Sequence, residues 1–146
     1  MQFRYQYAFL SNMYSCPVFY QGEKYPCAET AFQIAKCANP SDEDLFLNNR
    51  GFYVNGFTAR NIGRKVKLRS DWEKEKPWIM LEIIRSKFEN PVLREALLKT
   101  GNENLVEDND WGDTYWGVCN GKGKNMLGRI LMYVRNEIKN NALNND

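Results

Sequence analysis

Ser70-Asp71-Trp72-Glu73-Lys74-Glu75-Lys76-Pro77-Trp78-Ile79-Met80-Leu81-Glu82-Ile83-Ile84-Arg85-Ser86-Lys87-Phe88-Glu89-Asn90-Pro91 is the stretch that decides the fold class. Ile79, Met80, Ile83, Ile84, Lys87 and Phe88 recur at the three- and four-residue spacing that lines up side chains along one face of an α-helix. Ser70 followed by Glu73 is a start signal, and Asn90-Pro91 is a stop. Pro77 lacks an N–H and falls inside the span, so a break or kink is expected there. Downstream, Pro91 opens a further helix with Leu93, Leu97 and Leu98 buried and Gly101 closing it. Met126, Leu127, Ile130, Leu131, Val134 and Ile138 then mark an amphipathic C-terminal helix that frays in the Asn-rich tail. Upstream, Ala28 to Ala38 is a run of good helix formers entered through Tyr25-Pro26-Cys27 and closed by Asn39-Pro40. Ser41 stands at capping-box spacing from Asp44, with Leu45, Phe46 and Leu47 as anchors for a short helix ending near Arg50-Gly51. Thr58 is placed to cap a brief helix that stops at Gly63. Strand-like composition is confined to Phe3–Tyr7 and to Val18–Tyr25, where Gln21-Gly22-Glu23-Lys24 interrupts the run and implies a small hairpin. The reading is mainly α: a single compact helical domain over residues 1–146 with a small N-terminal β-hairpin, without repeats or linkers.

Composition narrows the chemistry. A chain of 146 residues, 43% hydrophobic and 14% aromatic, has the material for a proper core and none of the bias of a disordered segment. No apolar run approaches the roughly 18 residues of a membrane span, and the first ten residues lack a secretory pattern, so a cytoplasmic setting without membrane partners is expected. Cys16, Cys27, Cys37 and Cys119 form no C-x-x-C pair, which removes the usual zinc and redox motifs. There is no histidine. That excludes Ser-His-Asp and Cys-His catalysis and His-ligated zinc, leaving carboxylates, amines, phenols and water to do any chemistry. The net charge of +2 is too small to imply nucleic-acid binding by itself. Its distribution is more telling, since Arg60–Lys76 holds seven basic and three acidic residues whereas Glu103–Asp113 holds five acidic and none basic.

Four constellations carry potential chemistry. Leu105 to Gly117 combines Trp111, Tyr115 and Trp116 with carboxylates and two glycines, which reads as a binding wall: flat rings stack on planar groups, and an adjacent carboxylate stabilises positive charge or activates water. The competing reading makes both tryptophans satellite core and Asp113 a turn cap. Glu29, Gln33 and Lys36 align a carboxylate, an amide and an ammonium along one helix edge, opposite Ala31, Ile34, Ala35 and Ala38. Such an edge either holds a ribose or is simply solvated. Gly117 to Asn125, with Lys122 and Lys124 ahead of the last helix, could cradle phosphate, although it lacks the G-x-x-x-x-G-K-[ST] pattern. Arg60 to Trp72 offers phosphate anchors in Arg64 and Lys65 and a stacking ring in Trp72, against a solvated basic face with a buried indole.

Read in order, Phe9-Leu10-Ser11-Asn12, Tyr25-Pro26-x-x-Glu29-x-x-Phe32-Gln33-x-x-Lys36, Gly63-Arg64-x-Val66-x-Leu68-Arg69-x-Asp71-Trp72, Trp111-Gly112-Asp113-x-x-Trp116-Gly117 and Asn125-x-Leu127-Gly128 resemble the successive signatures of the NADAR, or YbiA-like, family. The match runs from about Phe9 to Arg135. Thr30 departs from it, since many members carry histidine after the glutamate. The resemblance implies a predominantly helical fold and hydrolysis of an N-glycosidic bond between ribose and a base-like amine. Its substrates would be either the ribosylamino-pyrimidine intermediates of riboflavin synthesis or ADP-ribosylated guanine in nucleic acid. It places the catalytic carboxylate on Glu29, the second acid on Asp113, aromatic binding positions on Trp72 and Trp116, and pocket residues at Ser11, Asn12 and Lys36. Trp111 joins the binding wall by position.

Cleavage of such a bond passes through an oxocarbenium-like state that calls for negative charge near the ribose, a placed water and help for the departing amine. It requires no metal and no cofactor. Glu29 would stabilise the sugar cation or activate the water, and Asp113 would position water or protonate the leaving group, the two acids converging on the anomeric carbon. A module that binds ADP-ribose or NAD without turnover is the alternative, using the same rings and cations.

Overall fold

A computed structural model describes residues 2–144, which are dominated by helix with two short paired β segments. The chain divides into two compact units, Asn12–Lys87 and Met1–Ser11 with Phe88–Asp146.

The Asn12–Lys87 unit begins with the predicted hairpin. Strands β1 (Val18–Tyr20) and β2 (Glu23–Tyr25) pair antiparallel with Val18 opposite Tyr25. Gln21 and Gly22 both have positive φ, 53° and 79°, the conformation a two-residue turn needs if its twist is to match the strands. Helix α1 (Ala28–Ala35) follows, shorter than the sequence predicts. It ends because the next backbone groups pair elsewhere: Ala38 N–H donates to Lys67 O, Arg69 N–H donates to Lys36 O, and Cys37 bridges Leu68. Nor does α1 have one exposed face. Every residue from Ala28 to Ile34 is buried, since α2, α3, the hairpin and a 3-10 segment all pack around it.

That 3-10 segment, Pro40–Phe46, replaces the helix expected from Ser41 to Arg50; Pro40 sits in its first turn and Asn39, not Ser41, precedes it as cap residue. Helix α2 (Gly56–Gly63) is capped by Asn55, whose side chain accepts from Thr58 N–H at 2.9 Å, so Thr58 receives the cap instead of supplying it. Its two end glycines permit close approach to α1: a Cβ on Gly63 would overlap the Gln33 amide, and one on Gly56 would lie 3.1 Å from Glu29 Cβ. Helix α3 (Trp72–Lys87) runs unbroken through Pro77. The expected break is absent because Pro77 lies in the second turn, where the missing donor forfeits only the bond to Glu73 O. Ile79, Met80, Ile83, Ile84 and Lys87 are buried along it, and α3 packs on β1 and α1.

In the other unit, Tyr5–Leu10 is a 3-10 helix, so the strand-like Phe3–Tyr7 is not a strand. Helix α4 (Pro91–Lys99) is capped by Asn90, which accepts from Val92 and Leu93 N–H, and is closed by Gly101 at φ 62°. Leu93 and Leu97 are buried while Leu98 is half-buried. Two-residue strands β3 (Asp108–Asn109) and β4 (Val118–Cys119) pair in parallel, which the sequence did not announce. Helix α5 (Met126–Asn144) buries Leu127, Ile130, Leu131 and Val134 and runs into the Asn-rich tail, whose last residues, 145–146, lie outside the described residues. It packs on α4, and buried Arg135 ties it to the end of that helix by donating to Thr100 Oγ1 at 2.7 Å and Glu103 O at 2.9 Å. Among the described residues no helix is long and apolar enough to cross a membrane.

Candidate active site

Glu29 stands in the first turn of α1, its backbone N–H donating to Asn12 O at 2.9 Å. Only 6% of the residue is exposed. A carboxylate at that depth needs compensation. Gln33, one turn on, donates from Nε2 to Glu29 Oε1 at 2.7 Å, and Arg60 Nε from α2 approaches the same oxygen at 3.6 Å. Both contacts fall on Oε1, and among the described residues Oε2 is left without a hydrogen bond. The carboxylate is thus oriented through one oxygen. Lys36 is half-buried one turn beyond Gln33. Burial pushes its ammonium below the ordinary lysine range, and the Glu29 charge opposes that shift.

The Glu29, Gln33 and Lys36 edge is therefore an enclosed array and not a solvated face. Two of its acceptors are orphaned: Gln33 Oε1, which abuts Gly63, and Asn12 Oδ1, whose Nδ2 donates weakly to Met80 Sδ at 3.6 Å. Arg60 is not among the residues that the sequence singles out. Its only signal there is membership of the basic Arg60–Trp72 stretch, where Arg64 and Lys65 look equally suitable. Both of those are exposed at the end of α2, with Arg64 donating to Asn61 Oδ1. Trp72 takes the buried one of its two readings: it is 7% exposed and packs its ring 4.9 Å from Phe32, so it offers no open indole face.

Ser11 and the aromatic wall belong to the other unit. The loop after β3 is organised by Asn109, a buried residue that sequence reasoning passes over. Its Nδ2 donates to Asp113 O and Val118 O, while its Oδ1 accepts from Asp113 N–H. Asp113 is half-buried, and its Oδ1 accepts from Tyr115 N–H at 3.1 Å and Trp116 N–H at 3.0 Å. It does cap a turn, as the plainer reading holds, while Oδ2 carries no hydrogen bond among the described residues. Trp116 is half-buried edge-on to Tyr115, and Trp111 is 55% exposed.

The Gly117–Asn125 turn does not present an open phosphate cradle. Amides at the start of α5 are already used, Asn125 N–H by Gly117 O, Met126 N–H by Tyr115 O and Leu127 N–H by Trp116 O. Lys124 lies over the Tyr115 ring at 5.6 Å. Lys122 is exposed in the tight turn closed by Cys119. Among the described residues no three acidic or cysteine side chains gather as metal ligands.

The model of the NADAR domain matches residues 2–139 of the chain, across both units. The chain belongs to the NADAR family. Among its relatives, N-glycosidase YbiA of Shigella boydii is 35% identical over 134 residues, covering 90% of this chain and 82% of the relative. A riboflavin biosynthesis protein of Vibrio vulnificus is 32% identical over 140 residues, 93% of this chain but 37% of the longer protein. The NMR structure of Escherichia coli YbiA superposes with a TM-score of 0.84 at 31% identity, covering 98% of this chain and 86% of that one. The mainly helical NADAR fold with its small hairpin is thus established. Thr30, the departure from the NADAR pattern, is fully buried; its Oγ1 donates to Val54 O at 2.9 Å and contacts Cys27 Sγ at 3.3 Å. Adjacent helix positions do not face the same way. This residue serves packing and not the Glu29 edge.

Proposed function

We propose that the chain hydrolyses the bond between ribose C1′ and the nitrogen of a base-like amine, with Glu29 as the principal catalytic carboxylate. The chain is a hydrolase of N-glycosyl bonds, in keeping with relatives named N-glycosidase. The observation that carries the residue assignment is the one-sided anchoring of Glu29, with Gln33 and Arg60 on Oε1 and no hydrogen bond to Oε2. A buried carboxylate held in this way can face a developing sugar cation or accept a proton from water without first shedding a partner. In this reading Asp113 is the second acid. Lys36 and Arg60 supply positive charge for the phosphate of a ribosyl phosphate, with Arg64 and Lys65 further out. Within the Asn12–Lys87 unit Asn12 adjoins Glu29, and Trp72 acts from behind by fixing Phe32 in α1; Ser11, Trp111 and Trp116 are substrate-binding positions on the strength of the family resemblance.

Two substrates fit this chemistry: a ribosylamino-pyrimidine phosphate of riboflavin synthesis, the class suggested by the riboflavin biosynthesis relative, and guanine ADP-ribosylated in nucleic acid. Each is incubated separately with the protein and both fragments followed by mass. Glu29→Gln keeps the shape and the Gln33 contact while removing the charge. It should lower turnover by about 10²- to 10⁴-fold with cooperative unfolding intact. Release of base at the wild-type rate would end the assignment of Glu29.

A further inference from the structure

A cavity of about 530 Å³ lies within the Asn12–Lys87 unit. It is not the Glu29 edge. Its α1 lining is Ile34 and Ala35, which at about 100° per residue lie on the side of the helix away from Glu29. Across from them α3 contributes Glu75, Trp78, Ile79 and Glu82, spaced as one continuous helix stripe, and Tyr20 of β1 adds a second ring. Trp78 is 64% exposed, an unusual position for the largest apolar side chain. Glu43 from the 3-10 segment completes a rim of three carboxylates. The cation in the lining, Arg69, is already engaged by Asp71 through hydrogen bonds of 2.6 and 2.9 Å. The field inside is therefore negative. Behind the larger effect of burial, the charge of Glu43 helps to hold both the Tyr25 phenol and the Cys37 thiol above their ordinary ranges.

Glu75 and Glu82 are seven residues apart on one helix, which sets them about 10.5 Å apart along its axis. Between them lie an indole and an isoleucine. We propose that this cavity binds a linear aliphatic polyamine, its two end ammonium groups on Glu75 and Glu82 and its methylene chain over Trp78 and Ile79. An ammonium over an indole face adds cation–π attraction, and the apolar strip between the carboxylates favours a chain over two separate inorganic ions. Two ammonium groups on one chain can engage both acids at once, which a single ammonium cannot.

The test is calorimetric titration of the full chain, at fixed ionic strength, with octane-1,8-diamine, spermidine, butane-1,4-diamine and octylamine. Saturable one-to-one binding is expected for the three amines that carry two or more ammonium groups, with the monoamine at least tenfold weaker. Glu75→Gln with Glu82→Gln should weaken octane-1,8-diamine at least tenfold. The control pair Glu89→Gln with Glu95→Gln, on exposed acids of the other unit, should leave it within twofold. Because the cavity acids are at or near the surface, both pairs should unfold like the wild type. Equal affinity for all four amines, no saturation by millimolar concentration, or equal loss in the two double variants would each overturn the proposal.

Discussion

Asp113 carries two readings of the sequence, a turn cap and a catalytic acid, and its contacts meet the first. Its Oδ1 is spent on the Tyr115 and Trp116 amides, so part of its value is conformational. Its charge is a separate property. Asn at this position keeps an acceptor for both amides, whereas Ala removes it. Asp113→Asn is therefore expected to leave thermal stability unchanged and, if Asp113 is the second acid, to lower turnover by about tenfold or more. Asp113→Ala should lose similar activity and in addition about 1 kcal/mol of stability, by analogy with the loss of a capping side chain. Measuring unfolding and turnover on the same two proteins separates the roles, and full activity in Asp113→Asn would leave only the turn. Residues of this kind are legible in sequence by type but not by assignment. Glu29 and Asp113 could be named only because the resemblance to the NADAR signatures puts its acids at those positions; the absence of histidine leaves 18 acidic residues to choose from. Arg60 could not be told from Arg64 and Lys65, because choosing among three cations on one short stretch depends on which face meets α1. That is decided by Gly56 and Gly63, whose missing side chains let the two helices touch.

At the scale of elements, the sequence located the α-helices and the hairpin and both ends of α4, yet misjudged the end of α1 and the cap of α2, since those depend on which partner claims the last free backbone groups. The shortened α1 is the clearest case: the helix would have continued only if residues 67 and 69 had not taken the Ala38 N–H and the Lys36 carbonyl. The N-terminus of α2 offers a quantitative check. Sequence pattern favours Thr58 as its cap, whereas the observed acceptor is Asn55 Oδ1. Asn55→Ala should cost about 1 kcal/mol in chemical denaturation, and Thr58→Ala should change little, because only the backbone of Thr58 takes part. The reverse order of effects would restore the sequence-based assignment. Since α2 carries both Arg60 and the close contact of Gly63 with Gln33, the Asn55 variant is also expected to be less active above the temperature at which that helix loosens. Parallel pairing of β3 with β4 was invisible for a different reason: two-residue strands have no period, and their register rests on the Asn109 side chain bonding to Asp113 and Val118.

For the molecule as a whole, pH reports on what the fold has buried. Lys87 closes the α3 stripe with no exposed surface, its Nζ 5.8 Å from the centre of the Tyr14 ring. Burial lowers its ammonium from 10.5 to about 8, although Cys16 and Cys27 pull the other way. A base whose pKa falls on folding disfavours the folded state while it is charged. The penalty is present in full below pH 8 and is relieved between about 8 and 10.5, where the unfolded chain binds the extra proton. Buried acids act in the opposite sense. Folding raises the Cys37 thiol from 9.0 to about 11 and raises Cys16 and Tyr25 as well. These groups draw stability down once the unfolded chain ionises, from about pH 9 for the thiols and pH 10 for the phenol. The expected profile rises above pH 8 and then turns over. Comparing the wild type with Lys87→Met reads the lysine together with its coupling to Cys16, whose thiol the ammonium pulls down, while Cys37 and Tyr25 contribute alike to both. The wild type should gain on the variant by about 3 kcal/mol between pH 7 and 10.5, the energy equivalent of the shift. Parallel curves of unfolding free energy against pH for the two proteins would mean that the Lys87 ammonium finds enough compensation in the fold to keep its solution affinity for the proton.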